Sequence, residues 1–476
     1  MTIVKRVICL ILAAVMSAGF FTSCGEDGKE GTTAAATDAG EQEPVSKYTD
    51  EERAGFAVLA AKYAERAEVI GKATLENYIN LTSYKRTKQI ALAETVNTSK
   101  SKFQMSGSAS VWHYTSFLAM LSRLTAVGTE ERAAYYAEMY PNAVESMKFY
   151  EGTANIMNYS GSSMVRMYAV HRAGTKGGAN ITGVEAVYDD QMWIIREMIY
   201  SYKLTGEEDY LEEAERLTDV CLQGWDVTPD SKGNEYGGIC WGPGYSSKHT
   251  CSNAPLILPL VNLYEIYTEK GDTEKAAYYL DFAVRTYDFT VKHFRLGNYL
   301  YGDNMGTQRQ IVGNGKNRHY ETTGQNSGIE STTYTYNTGA MIAGGAALYR
   351  VTGEEKYLTS AKKSTKASLS NFPTKNKDGL YEWPNGRQWF NLILLEGVFE
   401  LYPYDEAGCI KVIESFANSI DFAYDNYLNK GFLPKSYLNG WKDRENGDIN
   451  KDVMDQTSAA TIYAELAAFY LNLSRQ

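Results

Sequence analysis

Apolar residues recur every three to four positions through most of the chain after residue 50, which is the spacing of one face of an α-helix. Glycines that close one apolar stretch and acidic residues that open the next mark the helix boundaries. Together these signals predict twelve helices, near residues 50–80, 111–126, 130–150, 188–205, 207–223, 252–269, 273–293, 336–351, 354–370, 387–402, 405–428 and 455–473.

The predicted helices form pairs, because short turns alternate with long connections. Three short turns, at 203–207, 268–272 and 350–354, resemble each other and indicate a repeated helical hairpin. The long connections would then all lie at one end of the fold, where functional loops gather. They are 151–187, 224–251, 294–335, 371–386 and 429–454.

Six hairpins that close into a ring, with 50–80 as the last outer helix, make an all-α (α/α)6 toroid. An open solenoid of stacked helical hairpins is the alternative. The small residues of 338–347 favour the ring, because they let inner helices approach closely.

The first 47 residues lie outside this pattern. Residues 1–23 have a basic start followed by an apolar run that is too short for a permanent membrane span, which predicts a secretory signal. The small residues before Cys24 resemble a bacterial lipobox, so we expect Cys24 to be the lipidated N-terminus; an ordinary signal peptide is the alternative. Residues 24–47 carry few large apolar side chains and are interpreted as a flexible tether. Residues 48–476 then form one domain of an exported lipoprotein, at the cell surface or on the periplasmic face of a membrane.

The acidic charge limits the possible partners. The formal net charge is −11, and it becomes −13 without the signal, because Lys5 and Arg6 leave and residues 1–23 hold no acids. Such a chain should not bind nucleic acid, and it would repel acidic polysaccharides. We expect a monomer.

The cysteines and histidines do not predict a metal site or a disulfide framework. Cys240 and Cys251 fall in one long connection and could either pair or remain free thiols. With His249 they could supply three zinc ligands, but a fourth is missing. No metal or organic cofactor is therefore predicted.

Two adjacent acids, Asp189 and Asp190, stand at the start of the predicted helix 188–205. One aspartate can cap a helix, but a second beside it adds like-charge repulsion, which drives the two pKa values apart. One ionised and one protonated carboxyl, roughly 5 Å apart, is the pair that a retaining glycosidase needs. The alternative is a doubled cap whose charges favour the helix dipole.

Tryptophans mark the same end of the predicted fold. All seven lie in the long connections or near the starts of inner helices, where aromatic faces could line a sugar-binding groove. Packing of irregular loops is the alternative. They are Trp112, Trp193, Trp225, Trp241, Trp383, Trp389 and Trp441.

Five short motifs, taken in order, resemble glycoside hydrolase family 76, the bacterial endo-α-1,6-mannanases, over roughly residues 105–473. They lie at 188–193, 236–241, 248–253, 335–339 and 455–459. The sequence departs from the family pattern at His249, Thr338 and Glu396, which leaves the subsite preference open.

The resemblance implies a catalytic role for each acid: Asp189 would be the nucleophile and Asp190 the acid/base. Residue geometry alone would allow the reverse assignment. It further implies a retaining, endo-acting hydrolase of α-1,6-linked mannan or manno-oligosaccharides. A transglycosylase on the same fold and a non-catalytic glycan-binding lipoprotein are the alternatives. The substrate-binding candidates are Trp112, Tyr188, Trp241, Asp303, Tyr336 and Asn337; for Asp303 a role in forming a turn is the alternative.

Overall fold

The computed structural model describes residues 47–99, 102–159, 161–229, 232–306, 309–312, 319–322, 328–384, 386–441 and 449–476. The predicted signal, nearly all of the predicted tether and Cys24 lie outside the described residues.

All twelve predicted helices are present, and their ends lie within three residues of the predicted ones. A short additional helix, α2, was not predicted; it follows α1 after a two-residue break. The helices are α1 Asp50–Tyr78, α2 Leu81–Thr87, α3 Val111–Val127, α4 Glu130–Met147, α5 Tyr188–Thr205, α6 Glu208–Leu222, α7 Ala254–Glu269, α8 Thr273–Phe294, α9 Thr335–Thr352, α10 Glu355–Asn371, α11 Gln388–Leu401, α12 Glu406–Tyr427 and α13 Val453–Leu473.

The helices close into a ring. The inner helices α3, α5, α7, α9, α11 and α13 each contact the next, and α13 returns to contact α3. Each inner helix also pairs with an outer one, and α1 pairs with α13 to complete the sixth hairpin. The (α/α)6 toroid is therefore confirmed, and the open solenoid is wrong.

Burial distinguishes inner helices from outer ones. The inner helix α9 is buried on all sides from Thr335 to Leu348, whereas the outer helix α6 buries a single stripe. Small residues allow the inner helices to touch: a Cβ on Gly339 would lie 2.5 Å from the carbonyl oxygen of Ile393, and one on Gly397 would overlap Gly339. The predicted close approach is thus found between α9 and α11.

An ionic network crosses the middle of the ring. Arg123 on α3 pairs with Glu197 on α5, and its Nε lies 3.0 Å from Glu465 on α13. Glu396 on α11 lies 3.8 Å from Arg123 and 2.6 Å from Arg196. Glu396, one of the departures from the family pattern, thus belongs to this buried network.

Short strands, which were not predicted, lie in the long connections and in the segment between α2 and α3. A three-stranded sheet has the order β11–β1–β2, and the other strands form antiparallel pairs, of which β3–β4 is the longest. The strands are β1 Thr95–Asn97, β2 Gln104–Ser106, β3 Glu151–Asn158, β4 Gly161–Tyr168, β5 Lys248–His249, β6 Asn304–Met305, β7 Arg309–Val312, β8 His319–Thr322, β9 Thr374–Lys375, β10 Tyr381–Glu382 and β11 Asn450–Asp452.

The described chain begins and ends at one place, because the amide of Lys47 donates to the carbonyl of Gln476 (3.1 Å). This place is the end of the ring with the short turns, where α1 begins and α13 ends. Within the described ranges, no helix has both the length and the apolar character needed to cross a membrane.

Candidate active site

Asp189 and Asp190 lie in the first turn of α5, and both side chains are half-buried. The cap position is held by Val187, which has no side chain able to cap, so neither acid occupies the cap. Asp189 Oδ1 accepts a hydrogen bond from the Asp190 amide (3.0 Å). Neither acid therefore caps the helix, although both lie in its first turn, where the helix dipole favours negative charge. The first turn of α5 lies at the end of the ring that carries the long connections.

The two acids differ in their surroundings. Burial raises the pKa of both, and the charge of Asp189 raises the pKa of Asp190 further. Interactions with Trp241, Cys251 and the Asp190 amide favour ionised Asp189 and partly oppose the effect of burial on its pKa. The arrangement therefore favours a charged Asp189 beside a protonated Asp190.

The glycine loop, residues 236–253, lies against the start of α5. Its Trp241 carbonyl accepts a hydrogen bond from the Tyr188 amide (2.7 Å). Gly237 and Gly238 have φ values of 83° and 79°, which glycine adopts without strain. The motif at 236–241 is thus explained by backbone conformation and close packing.

Replacing Gly238 by Ala is expected to destabilise the protein by about 2–3 kcal/mol, because φ becomes strained and the new Cβ overlaps the Phe289 ring. Activity should fall as well, since this loop carries Trp241. Gly233→Ala is the control: its φ is similar at 83°, but nothing lies within 4 Å of the added carbon. Urea unfolding compares the two variants, and equal losses would show that the contact with Phe289 is unimportant.

The last residues of the glycine loop, 248–253, hold its first part in place. Lys248 forms a buried ion pair with Asp226 (2.6 Å). The Asn253 amide accepts from the Ile239 N–H (2.8 Å) and donates to the Ile239 carbonyl (3.0 Å). Lys248 and Asn253 of the motif therefore stabilise the loop through an ion pair and hydrogen bonds within the protein.

An aromatic cluster forms at the starts of four inner helices. Phe390 stacks on Tyr336 (centroids 4.2 Å apart, 27° between planes) and on Trp112 (5.8 Å, 22°). Trp389 packs edge-on against Trp193, with centroids 4.6 Å apart. The structure thus brings together the predicted Trp112 and Tyr336. Phe390, which directly follows Trp389, was not among the predicted site residues.

The remaining predicted site residues have different positions. Asp303 is half-buried and accepts a hydrogen bond from the Asn304 side-chain amide (2.9 Å). Its negative charge raises the pKa of the Cys251 thiol. Asn337 is fully buried in the first turn of α9, and its amide has no hydrogen-bond partner among the described residues. Tyr188 is only 2% exposed, and its ring packs under Gly224. This burial argues against the sugar-binding role expected for Tyr188.

Three tryptophans do not belong to the cluster or the glycine loop. Trp225 packs edge-on against Phe282 of α8, with centroids 5.8 Å apart. Trp383 and Trp441 pack against α12, with centroids 4.3 Å from Phe416 and 4.4 Å from Phe422, respectively. Loop packing explains these three, so the prediction that all seven tryptophans line a groove is wrong.

A further acid at this end, Asp455 of α13, is 2% exposed. Burial, together with the charge of Asp452, raises its pKa to about 7. An ionised Asp455 therefore destabilises the folded protein, by an amount that is negligible below about pH 4 and complete above about pH 7.

We expect Asp455→Asn to remove this loss of stability, which amounts to at most about 4 kcal/mol. Relative to the unsubstituted protein, the variant should gain stability as the pH rises from about 4.5 to about 8.5. Urea unfolding at both pH values measures the difference. Asp378→Asn, at an exposed loop position, should show no such gain. Parallel pH profiles for Asp455→Asn and the unsubstituted protein would contradict the assignment.

Cys221, Cys240, Cys251 and Cys409 are all buried free thiols, so the alternative of unpaired Cys240 and Cys251 is the one observed. Across the described part of the chain, no three His, Cys, Asp or Glu side chains are grouped so that they could hold a metal ion.

A closed (α/α)6 ring with an asymmetric acid pair and a cluster of buried and half-buried aromatic rings at its loop-bearing end fits a glycoside hydrolase. The family model for glycosyl hydrolase family 76 matches residues 134–465. The chain therefore belongs to glycosyl hydrolase family 76.

Solved structures share the fold. A family 76 glycoside hydrolase from a bovine Bacteroides thetaiotaomicron strain is 22% identical, with a TM-score of 0.66 over 86% of this chain and 78% of that one. The GH76A α-1,6-mannanase from Salegentibacter sp. HEL1_6 is 20% identical, with a TM-score of 0.59 over 86% and 99% of the two chains.

An inactive variant of the Salegentibacter enzyme, with two adjacent aspartates replaced by asparagine, was solved with α-1,6-mannotriose. It is 20% identical to this chain, with a TM-score of 0.57 over 85% of this chain and 99% of that one. Among curated proteins, none matches this sequence.

Proposed function

We propose that this family 76 hydrolase is a retaining endo-α-1,6-mannanase in which Asp189 and Asp190 perform a double displacement. The observation that carries the proposal is the asymmetry of the pair. Asp189 interacts with groups that favour its ionised form, whereas the pKa of Asp190 is raised by burial and by the charge of its neighbour. A nucleophile must be ionised and a general acid must be protonated at the working pH.

In the first step, a carboxylate oxygen of Asp189 forms a bond to the anomeric carbon of the mannose. The bond from that carbon to the departing glycosidic oxygen breaks, and Asp190 transfers its proton to this oxygen. In the second step, a water oxygen attacks the same carbon and Asp190 takes the water proton. The bond to Asp189 then breaks, so the product keeps the α configuration.

The inactive Salegentibacter variant, in which two adjacent aspartates are replaced by asparagine, supports a catalytic role for the acid pair. The bound α-1,6-mannotriose supports the choice of linkage. An uncharged mannan also suits a chain with a formal net charge of −11.

The aromatic cluster supports a carbohydrate ligand. Trp112 is half-buried at the start of α3, and Tyr336 is 9% exposed at the start of α9. We assign these two rings to the sides of the substrate groove, because aromatic rings offer large amphipathic surfaces to sugars. Asp303 is assigned to sugar hydroxyls.

Digestion of unbranched α-1,6-mannan tests the proposal, with product sizes and anomeric configuration followed by ¹H NMR. We expect mixed short oligosaccharides whose first-formed reducing ends are α. Release of mannose alone would contradict endo action, and initial β products would contradict retention. Predominant transfer to an added acceptor would identify a transglycosylase instead.

We further propose that the mature chain is a bacterial lipoprotein anchored through Cys24. Mass spectrometry of the N-terminal peptide from the native host should find acylated Cys24. Cys24→Ala should release the protein from the membrane fraction. An unmodified N-terminus elsewhere in the chain would contradict this.

A further inference from the structure

The two acids lie between Tyr188 and Gln191, and each of these neighbours is hydrogen-bonded to a different connection of the chain. We propose that Gln191 is a positioning residue for the acid pair: its carboxamide ties the first turn of α5 to the end of β4, so that Asp189 and Asp190 keep their place in the substrate groove. This inference rests on the proposed function, in which the two acids perform the chemistry. Gln191 is fully buried, so it acts through the acids and not on the sugar.

Gln191 pairs with the main chain of a single residue, Tyr168. Its Oε1 accepts a hydrogen bond from the Tyr168 amide (2.9 Å), and its Nε2 donates to the Tyr168 carbonyl (2.8 Å). The same Nε2 donates to the carbonyl of Val187 (3.1 Å), the residue at the cap position of α5. A carboxamide offers the donor and the acceptor of a peptide group, so Gln191 pairs with the end of β4 as a neighbouring strand would.

The end of β4 also holds the start of α3. The carbonyl of Val170, two residues after Tyr168, accepts a hydrogen bond from the amide of Val111, the first residue of α3 (2.9 Å). Trp112, which we assign to a side of the substrate groove, directly follows Val111. The acid pair and this ring are therefore joined through three residues of main chain. Loss of the Gln191 carboxamide would move the acids relative to the groove without removing a group that contacts the sugar.

The start of α13 repeats this arrangement without two adjacent acids. Gln456 is the fourth residue of α13, as Gln191 is the fourth residue of α5, and each directly follows an aspartate. Gln456 is 1% exposed, and its carboxamide accepts from the Leu433 amide (3.0 Å) and donates to the Leu433 carbonyl (3.2 Å). The same substitution at both glutamines should therefore cost similar stability, but only the one at Gln191 should act on the acid pair.

The test compares Gln191→Met with Gln456→Met in the full chain, because methionine keeps the length of the side chain and removes the carboxamide. For Gln191→Met we expect kcat on α-1,6-mannan to fall by about 10–100-fold, since a misplacement of about 1 Å can cost this much. KM should change by less than about threefold, because the groups that bind the sugar remain.

Gln456→Met is the matched control. It should lower the urea midpoint about as much as Gln191→Met does and leave kcat within about twofold of the unsubstituted protein. Equal losses of kcat in the two variants, or an unchanged kcat in Gln191→Met, would overturn the proposal. If Gln191→Met is insoluble, Gln191→Asn and Gln456→Asn replace the pair. Asparagine is one methylene shorter, so a smaller fall in kcat is expected at position 191 alone.

A second measurement does not depend on the substrate. In protein labelled with ¹³C at aspartate carboxyls, the resonances of Asp189 and Asp190 are identified by their loss in Asp189→Asn and Asp190→Asn. Adjacent carboxyls titrate as a coupled pair, so a displaced pair should show altered titration curves in Gln191→Met and unaltered ones in Gln456→Met. Unaltered curves in Gln191→Met would overturn the proposal. If the unsubstituted protein does not cleave α-1,6-mannan but the curves change in Gln191→Met alone, the proposed substrate fails while the role of Gln191 stands.

Discussion

Replacement of Asp189 by Asn should reduce the hydrolysis of α-1,6-mannan by roughly 10⁴-fold or more, because the residual amide cannot form the glycosyl-enzyme. Binding of α-1,6-mannotriose, measured by calorimetry, should remain. A non-catalytic glycan-binding protein would show no hydrolysis in either form. Equal activity of the variant and the unsubstituted protein would remove Asp189 from the mechanism.

Azide separates the roles of the two acids in variants that lack one carboxyl. With an α-mannoside carrying a good leaving group, Asp190→Ala should still form the glycosyl-enzyme, and azide should then yield an α-mannosyl azide. Asp189→Ala should instead yield the β-mannosyl azide, because azide attacks the substrate directly. NMR of the azide products decides the assignment, and the opposite pairing of products would reverse the two roles.

Loss of Arg123 should have the largest effect on stability. Arg123→Ala would leave the buried Glu197 and Glu396 and the half-buried Glu465 without their shared cation, and we expect a loss of about 3–5 kcal/mol. Urea unfolding of the purified variant measures this loss.

Lys72→Met is the matched control for Arg123→Ala. Its ion pair with Glu76 (3.9 Å) is exposed on α1, so its removal should cost less than about 1 kcal/mol. Should Arg123→Ala also lose less than this, the network in the middle of the ring would have no structural importance. If the variant is insoluble, Glu396→Gln, which keeps the shape and removes one charge, provides the comparison.

The ring could be predicted from the sequence because its signals are local. Helical periodicity, the glycine-containing turns and the small residues around Gly339 each constrain a few neighbouring positions. Strand pairing was less visible, since pairs such as β3–β4 depend on how two segments of a long connection meet. The ion pairs of Glu396 could not be predicted either, because its partners Arg123 and Arg196 are far from it in the sequence.

At the candidate site, the sequence indicated the acid pair and the loop that covers it, but not the contacts between them. The hydrogen bond from the Tyr188 amide to the Trp241 carbonyl joins the start of α5 to a later connection, and no local pattern encodes it. The positions of the tryptophans could not be predicted for the same reason. Trp225 and Trp383 pack inside the protein because they contact aromatic rings on outer helices, and these rings are distant in the sequence.

The meeting of Lys47 with Gln476 sets the place where the preceding residues leave the ring. Every inner helix runs from the acid pair's side of the ring toward the side where these two residues meet, and the 21 residues of α13 span about 30 Å. The membrane attachment that we propose would therefore start from the side of the ring opposite the acid pair. Attachment at that side would leave the end with the acid pair unobstructed for a polymeric substrate.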